Sequence, residues 1–195
     1  MKKKFLLILL GVFISYTPYL FSESVDMPFW IYKDAASPKN HYVPSGWMGD
    51  HTDIKMVFGY TIKPQSGTSS IQFTYLAEDA QEEGWSGVYF QQPTNNWGDL
   101  NSGYDLSKAE SFSFYVRGEK GGEVIKEFGL GGIIGKYSDS TYLKVEGITL
   151  SKEWTKITIP IEGDLSFILG GFYWKIYKEQ NPEGCIFYID EVKYE

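Results

Sequence analysis

The chain has 195 residues, of which 43% are hydrophobic and 17% aromatic, enough for one domain with a sizeable core. It carries 18 basic and 25 acidic side chains, which gives a formal net charge of −7. This balance excludes a typical nucleic-acid-binding surface, because phosphate binding requires clustered lysine and arginine, and the sequence has a single arginine, Arg117.

The first residues have the pattern of a secretory signal peptide. Lys2, Lys3 and Lys4 precede an apolar run at 5–14, and Ser22-Glu23-Ser24 offers a small-x-small cleavage site. We therefore expect residues 1–24 to be removed and residues 25–195 to form one exported domain, which is secreted, periplasmic or at the cell surface. Cleavage leaves 15 basic against 24 acidic side chains, a net charge of −9. No later run predicts a membrane-spanning helix.

The remaining sequence predicts strands and almost no helix. Short runs rich in Val, Ile, Phe, Tyr and Thr are separated by Gly, Pro, Asn, Asp and Ser. The predicted strands are 55–62, 70–77, 86–91, 111–118, 124–133, 142–150, 155–161, 170–176 and 185–195. Apolar residues recur with period 2, which favours an all-β, antiparallel β-sandwich or jelly roll in a single domain.

The stretch GWSGVYFQQPTNNWG, residues 84–98, combines aromatic rings with neutral amides and contains no charged residue. Sugars present apolar C–H patches, which stack on rings, and hydroxyl groups, which need hydrogen-bond donors and acceptors. The candidate carbohydrate-binding residues are the rings of Trp85, Tyr89 and Trp97 with the amides of Gln91, Asn95 and Asn96. Alternatively, the rings belong to a sandwich core and the two asparagines to a turn.

Alternation assigns side chains to faces in two other strands. In 111–118, Phe112, Phe114 and Val116 share one face, and Tyr115 and Arg117 lie on the other. In 170–176, Tyr173 and Lys175 lie opposite Phe172, Trp174 and Ile176. An arginine beside an aromatic residue can stack on it or donate to sugar hydroxyls, so Tyr115 and Arg117 are further candidate binding residues. The alternative for Arg117 is a surface ion pair.

Five segments carry a resemblance to a known group of proteins: PSGWMGD (44–50), GWSGVYFQQPTNNWG (84–98), FYVRGEKGGE (114–123), GGFYW (170–174) and FYIDEVKYE (187–195). They resemble exported bacterial carbohydrate-binding modules of the galactose-binding-like jelly-roll fold. The resemblance runs from Tyr42 to the C-terminus. It implies non-catalytic binding of a polysaccharide or glycan.

The same resemblance implies a structural calcium ion between an early loop and the last strand. Asp190 matches the last-strand position, and Asp34 is a candidate partner from an early loop, as are Asp50 and Asp53. Calcium requires six to eight oxygen ligands, and no continuous calcium-binding loop is present. Alternatively, Asp190 caps the end of a strand.

Two other functions are consistent with the sequence. The first is a glycan-active hydrolase or lyase of sandwich fold; however, Glu162-Gly163-Asp164 begins an ExDxxE pattern in which Phe167 replaces the last glutamate. No GxSxG occurs, and the histidines lack zinc-binding spacing. The second is a cell-envelope interaction or adhesion protein.

The single cysteine, Cys185, lies in an apolar run and is expected to be a buried thiol.

Overall fold

The computed structural model describes residues 25–195, so the predicted signal peptide and its cleavage site lie outside the described residues. The described chain forms eleven strands and one 3-10 helix, His51–Asp53. The strands are β1 (Phe29–Tyr32), β2 (Val43–Gly49), β3 (Ile54–Tyr60), β4 (Ser70–Tyr75), β5 (Trp85–Gln91), β6 (Ser111–Gly118), β7 (Val124–Gly131), β8 (Tyr142–Thr149), β9 (Thr155–Pro160), β10 (Gly170–Tyr177) and β11 (Cys185–Tyr194). All nine predicted strands are present.

The strands form two antiparallel sheets. One has the order β3-β4-β11-β6-β9, with β1 also paired to β11, and the other has the order β2-β5-β10-β7-β8. The predicted all-β sandwich is therefore confirmed. In the described residues no helix is long and apolar enough to cross a bilayer.

The core between the sheets is largely aromatic. Phe114 packs against Phe128 and Phe172, with ring centroids 4.8 and 5.1 Å apart, and Trp174 packs against Phe73 at 4.8 Å. These side chains are fully buried, and aromatic residues of this kind each remove about 150–250 Å² from water. The inner faces assigned by alternation in 111–118 and 170–176 are thus confirmed. Cys185 packs at the margin of this core, and burial raises the pKa of its thiol to about 12.

The sequence does not predict β1 and β2, because their local sequences are atypical of strands. β1 has four residues, FWIY, all buried, so it shows no alternation. β2 contains Pro44, Gly46 and Gly49, which are residues that normally interrupt strands. β2 nevertheless pairs along β5 as the edge of its sheet. β1 pairs with β11, about 160 positions away, and β2 pairs with β5, about 40–50 positions away, so pairing with a distant strand rather than local propensity decides both.

Candidate functional site

The outward face of the five-stranded sheet carries a cluster of aromatic side chains, here called the aromatic face. Its members are Trp85, Tyr89, Trp97, Tyr142, Tyr173 and Tyr177. Alternation places the side chains of β5 and β10 there, because Val88 and Phe90 of β5 and Phe172 and Trp174 of β10 fill the core. Trp97 reaches the face from the loop after β5, where it contacts Tyr89. A second hydrophobic cluster consequently forms outside the sandwich core.

Three tyrosines and one tryptophan line up across the middle of this face. Tyr89 and Tyr173 are direct cross-strand partners with ring centroids 4.7 Å apart. Tyr142 stacks on Tyr173 at 5.9 Å, and Trp97 meets Tyr89 edge-on at 5.6 Å. The rings therefore form one continuous row from the loop after β5 to the edge strand β8.

Exposure divides the row into a floor and two rings that reach solvent. Tyr89 and Tyr173 are buried by Ile133, Leu169 and their neighbours, which fold over one end of the face. Trp97 is 39% exposed and Tyr142 is 46% exposed. Only these two rings of the row can offer a large area to a ligand.

Glycine allows Trp97 to lie close to the sheet. A Cβ atom at Gly46 would be 2.7 Å from Tyr89 Cβ and 2.9 Å from Trp97 Cζ2. Gly98 follows with φ +97, and its carbonyl accepts a 2.8 Å hydrogen bond from the Tyr137 N–H. The absence of a side chain at Gly46 thus lets the indole settle against β2 and β5.

Buried amides hold the loop that carries Trp97. Asn96 Oδ1 accepts from the N–H groups of 98, 99 and 100, and its Nδ2 donates to the carbonyls of Gln92 and Leu100. Gln91 accepts from the Ser45 hydroxyl at 3.0 Å and donates to the Asn96 carbonyl at 3.2 Å. Both amides are almost fully buried, so in this structure they support the loop from below.

The other predicted amide, Asn95, is exposed on the turn with φ +58, in the left-handed region that asparagine tolerates. Its backbone N–H donates to the Ser45 hydroxyl at 2.9 Å. Its side chain forms no hydrogen bond within the described residues, in contrast to Gln91 and Asn96. Of the three predicted amides, Asn95 alone is on the surface beside Trp97.

A buried carboxylate joins the polar groups of the face. Glu127 on β7 accepts from the Tyr173 hydroxyl at 3.1 Å and lies 3.4 Å from Lys175 Nζ and 3.5 Å from Lys144 Nζ. The Tyr142 hydroxyl is 3.4 Å from the same carboxylate. Burial opposes ionisation of Glu127, but the two lysines and the Tyr173 hydroxyl outweigh it and hold its pKa below the ordinary value.

The far end of the face carries a second ring pair. Trp85 and Tyr177 are cross-strand partners, with ring centroids 6.4 Å apart and both side chains half-buried. Lys175 Nζ lies 5.6 Å from the Trp85 ring and 5.5 Å from the Tyr173 ring. The lysine therefore links this end of the face to the central row.

The structure separates the predicted binding residues into two groups. Trp85, Tyr89 and Trp97 share the aromatic face, whereas Tyr115 and Arg117 lie on β6 of the other sheet. Arg117 stacks on Tyr188, with its Cζ 3.7 Å from the ring centroid, rather than on its sequence neighbour Tyr115. One surface does not contain both groups.

Sequence reasoning missed several residues of the aromatic face: Glu127, Tyr142, Lys144, Tyr173, Lys175 and Tyr177. A signal existed for two of them, since alternation places Tyr173 and Lys175 opposite the core residues of β10. Nothing in the local sequence indicates that β10 lies beside β5, which is the pairing that brings Tyr173 to Tyr89.

The predicted calcium ligands are held by hydrogen-bond donors. Asp190 Oδ2 accepts from the N–H groups of Gln65 and Ser66 at 2.8 and 3.3 Å, and Oδ1 accepts from Glu191 N–H at 2.8 Å. Burial raises the Asp190 pKa to about 7, although these donors oppose the shift. Asp34 Oδ1 accepts from the N–H groups of 68 and 69 on the same loop.

Asp50 and Asp53 meet a different loop. Asp50 Oδ1 accepts from Gln81 N–H and Asp53 Oδ2 from Asp79 N–H, at 2.7 and 2.8 Å. Among residues 25–195 no three His, Cys, Asp or Glu side chains converge in a metal-binding arrangement. A cation needs surrounding oxygens rather than N–H donors, so the arrangement around Asp190 and Asp34 does not fit calcium. The resemblance and this arrangement therefore give opposite expectations for calcium, and calcium-dependent melting decides between them.

Comparisons with known proteins place the fold. No family model matches the chain, and no curated protein matches it. A solved family 30 carbohydrate-binding module shares 14% identity and a TM-score of 0.57, over 89% of this chain and 88% of that chain. The family 30 module of a cellulosomal cellulase of Clostridium thermocellum shares 14% identity and a TM-score of 0.59, over 87% of this chain and 97% of that chain.

A third similar structure is a variant of the family 29 carbohydrate-binding module CBM29-2. It shares 13% identity and a TM-score of 0.50, over 85% of this chain and 89% of that chain. The jelly-roll resemblance predicted from the sequence is confirmed by these matches. At such identities the likeness establishes the fold, and the chain therefore has the β-sandwich jelly-roll fold of carbohydrate-binding modules.

Proposed function

We propose that this protein binds a neutral polysaccharide or glycan on its aromatic face and does not cleave it. The observation that carries the proposal is the pair of exposed rings, Trp97 and Tyr142, at either side of the buried Tyr89–Tyr173 floor. Solved structures of the same fold are carbohydrate-binding modules by name, which supports the same class of ligand.

The chemistry of the face suits a sugar chain. The exposed rings can stack on apolar C–H patches, while Lys144, Lys175 and the Tyr142 hydroxyl, which Glu127 holds in place, can exchange hydrogen bonds with sugar hydroxyls. Lys144 and Lys175 pair with Glu127, and Lys144 also pairs with Glu146 at 2.9 Å. Because these charges compensate one another, a neutral ligand is favoured over an ionic one.

The carboxylates of the face are poorly suited to glycoside hydrolysis. Glu127 and Glu146 are cross-strand partners on β7 and β8, so two acids do lie side by side. A glycosidase needs one of its carboxyl groups protonated as the general acid, which requires a raised pKa. The lysines instead hold the Glu127 pKa low, and Lys144 lies between the two acids. This favours binding without catalysis.

Export to the cell surface, the periplasm or the medium is part of the proposal. It rests on the basic and apolar pattern of residues 1–24, and binding of an extracellular polysaccharide is consistent with it. Mass spectrometry of the protein from its native cell tests this point. A mature N-terminus at Val25 is expected, and an intact Met1 contradicts export.

Binding is tested with a panel of soluble neutral oligosaccharides and polysaccharides, in which β-1,4-, β-1,3- and mixed-linked glucans, mannans and xylans are compared by titration calorimetry. We expect at least one backbone to bind with 1:1 stoichiometry per site and to be recovered without shortening after long incubation. Shortened products would assign an enzyme instead, and the absence of binding to every glycan would remove the proposed function.

A further inference from the structure

The outer face of the six-stranded sheet, opposite the aromatic face, contains a separate cleft of about 310 Å³. One wall comes from the end of β3 and the following loop, and the other from residues 152–154 before β9. The lining residues are Tyr60, Ile62, Lys63, Arg117, Glu119, Lys152, Glu153 and Trp154. The Trp154 indole N–H donates to the Lys63 carbonyl at 3.1 Å and so ties the two walls together.

Arg117 forms the floor of this cleft and is held between rings. Its Cζ lies 3.7 Å from the Tyr188 ring centroid and 5.2 Å from that of Trp154. Tyr188 is the cross-strand partner of Arg117 and also contacts Tyr60, with ring centroids 5.1 Å apart. The guanidinium is therefore fixed in position before any ligand arrives.

The hydrogen-bonding capacity of Arg117 is largely unused, although its side chain is only 10% exposed. Among residues 25–195 the buried Nε has no hydrogen-bond partner, and Nη1 donates to the Gly118 carbonyl at 3.4 Å and lies 3.8 Å from Glu119. A guanidinium has five donors, and a buried group of this kind normally satisfies them. The protein thus maintains an under-used cation at the base of an open cleft.

The charges around the cleft favour an anion. Lys63 and Lys152 are exposed and form no ion pair within residues 25–195. Glu119 is already engaged, since it accepts a 2.6 Å hydrogen bond from the Tyr188 hydroxyl. The cleft thus has three cationic side chains and two acidic ones, Glu119 and Glu153. It is locally positive in a chain of net charge −7.

We propose that this cleft binds an acidic sugar, a hexuronate unit of an anionic glycan, independently of the aromatic face. The uronate carboxylate would pair with Arg117 and the two lysines, and the sugar ring would pack against Trp154 or Tyr60. This inference rests on the proposed glycan-binding function for its ligand class, but it concerns different residues on the opposite sheet. A protein with both sites would connect a neutral chain to an acidic one.

The test uses titration calorimetry of residues 25–195 with hexagalacturonate as the acidic probe and cellohexaose as the neutral probe of equal length, at low salt and without divalent cations. We expect one hexagalacturonate site per chain, which weakens as sodium chloride screens the charges. The variants Lys63→Gln and Lys152→Gln should each weaken it about two- to fivefold, as for an exposed ion pair. Trp154→Ala should weaken it about tenfold.

The matched control is Lys108→Gln, which removes an exposed lysine away from the cleft and should leave hexagalacturonate binding unchanged. Arg117→Lys keeps the charge and loses the planar fork, so it should weaken binding while the protein stays folded. The inference is overturned if hexagalacturonate does not bind, if cellohexaose binds this cleft equally well, or if neither Lys63→Gln nor Trp154→Ala affects binding.

The aromatic-face proposal and the cleft proposal can be contradicted independently. If neutral glycans do not bind but hexagalacturonate binds in a manner that depends on Lys63 and Trp154, the cleft is established and the aromatic face loses its function. If Trp97→Ala abolishes hexagalacturonate binding while Trp154→Ala leaves it intact, the acidic sugar belongs to the aromatic face and the cleft assignment is wrong.

Discussion

Tyr89 and Tyr173 face each other across β5 and β10, with ring centroids 4.7 Å apart and no more than 7% of either residue exposed. They are the floor of the aromatic face rather than contact surfaces. Tyr89 also donates its hydroxyl to the Gly131 carbonyl at 3.0 Å. Because both tyrosines are buried, a ligand on this face would contact the neighbouring rings of Trp97 and Tyr142.

Trp97→Ala should weaken glycan binding with little loss of stability. An exposed ring in a ligand contact contributes on the order of 1–2 kcal/mol, about a tenfold change in affinity or more. Trp47→Ala is the matched control, because Trp47 is similarly exposed, at 37%, but pairs with the inward-facing Val88. Calorimetry and thermal melting on both variants provide the comparison. Equal affinities for Trp97→Ala and the parent would show that the ring is not a contact.

Trp174→Ala should behave in the opposite way. Trp174 is fully buried against Phe73 and Phe187, so truncation leaves a cavity and should cost about 3–5 kcal/mol of unfolding free energy. Urea denaturation measures this loss. A stability close to that of the parent would contradict the position of Trp174 between the two sheets.

Asn96→Ala should loosen the loop that carries Trp97. The substitution removes the Oδ1 acceptor of the loop N–H groups and the Nδ2 donor to the loop carbonyls. Buried hydrogen-bonding groups that are left without a partner cost about 1–3 kcal/mol of unfolding free energy. Both stability and glycan affinity should fall. Asn95→Gly is the control, since it keeps the left-handed turn and removes an exposed amide. If Asn95→Gly weakens binding more than Asn96→Ala, the exposed amide is itself a ligand contact.

The ion pairs of Glu127 are expected to stabilise the fold at neutral pH and to lose this effect in acid. Its folded pKa lies below the ordinary value of 4.5, so the ionised form is favoured by folding. The resulting stabilisation is present above that pH and is lost as the pH falls through the folded pKa. Glu127→Gln should therefore lower the melting temperature at pH 7 and reduce the difference from the parent near pH 3. A difference independent of pH would exclude the ion pairs as its cause.

Calcium is expected to leave the melting temperature unchanged, because N–H donors surround Asp190 and Asp34 in this fold. A structural ion would raise the melting temperature in proportion to its occupancy, and chelator would reverse the rise. Thermal melts of the parent, Asp34→Asn and Asp190→Asn in calcium chloride and in chelator decide the question. A calcium-dependent rise in the parent that both variants lose would establish the site predicted from the resemblance.

The sequence by itself determined the strands whose apolar residues alternate and the side chains that each of these strands directs inward. Phe112, Phe114 and Val116 fill the core as the period-2 pattern predicts, because a strand's alternating faces are a local property of its backbone. The composition of residues 84–98, aromatic rings beside neutral amides, identified Trp85, Tyr89 and Trp97 as candidate binding residues.

Only the tertiary structure decided which strands are neighbours. β10 lies beside β5 and so adds Tyr173 and Lys175 to the aromatic face, and β11 lies beside β6 and so places Tyr188 under Arg117. These pairs are about 70–85 residues apart in the chain, and their contacts depend on hydrogen bonding between distant strands, which no local pattern encodes. For this reason the sequence named Trp97 and Arg117 as candidate binding residues without showing that the fold places them on opposite sheets.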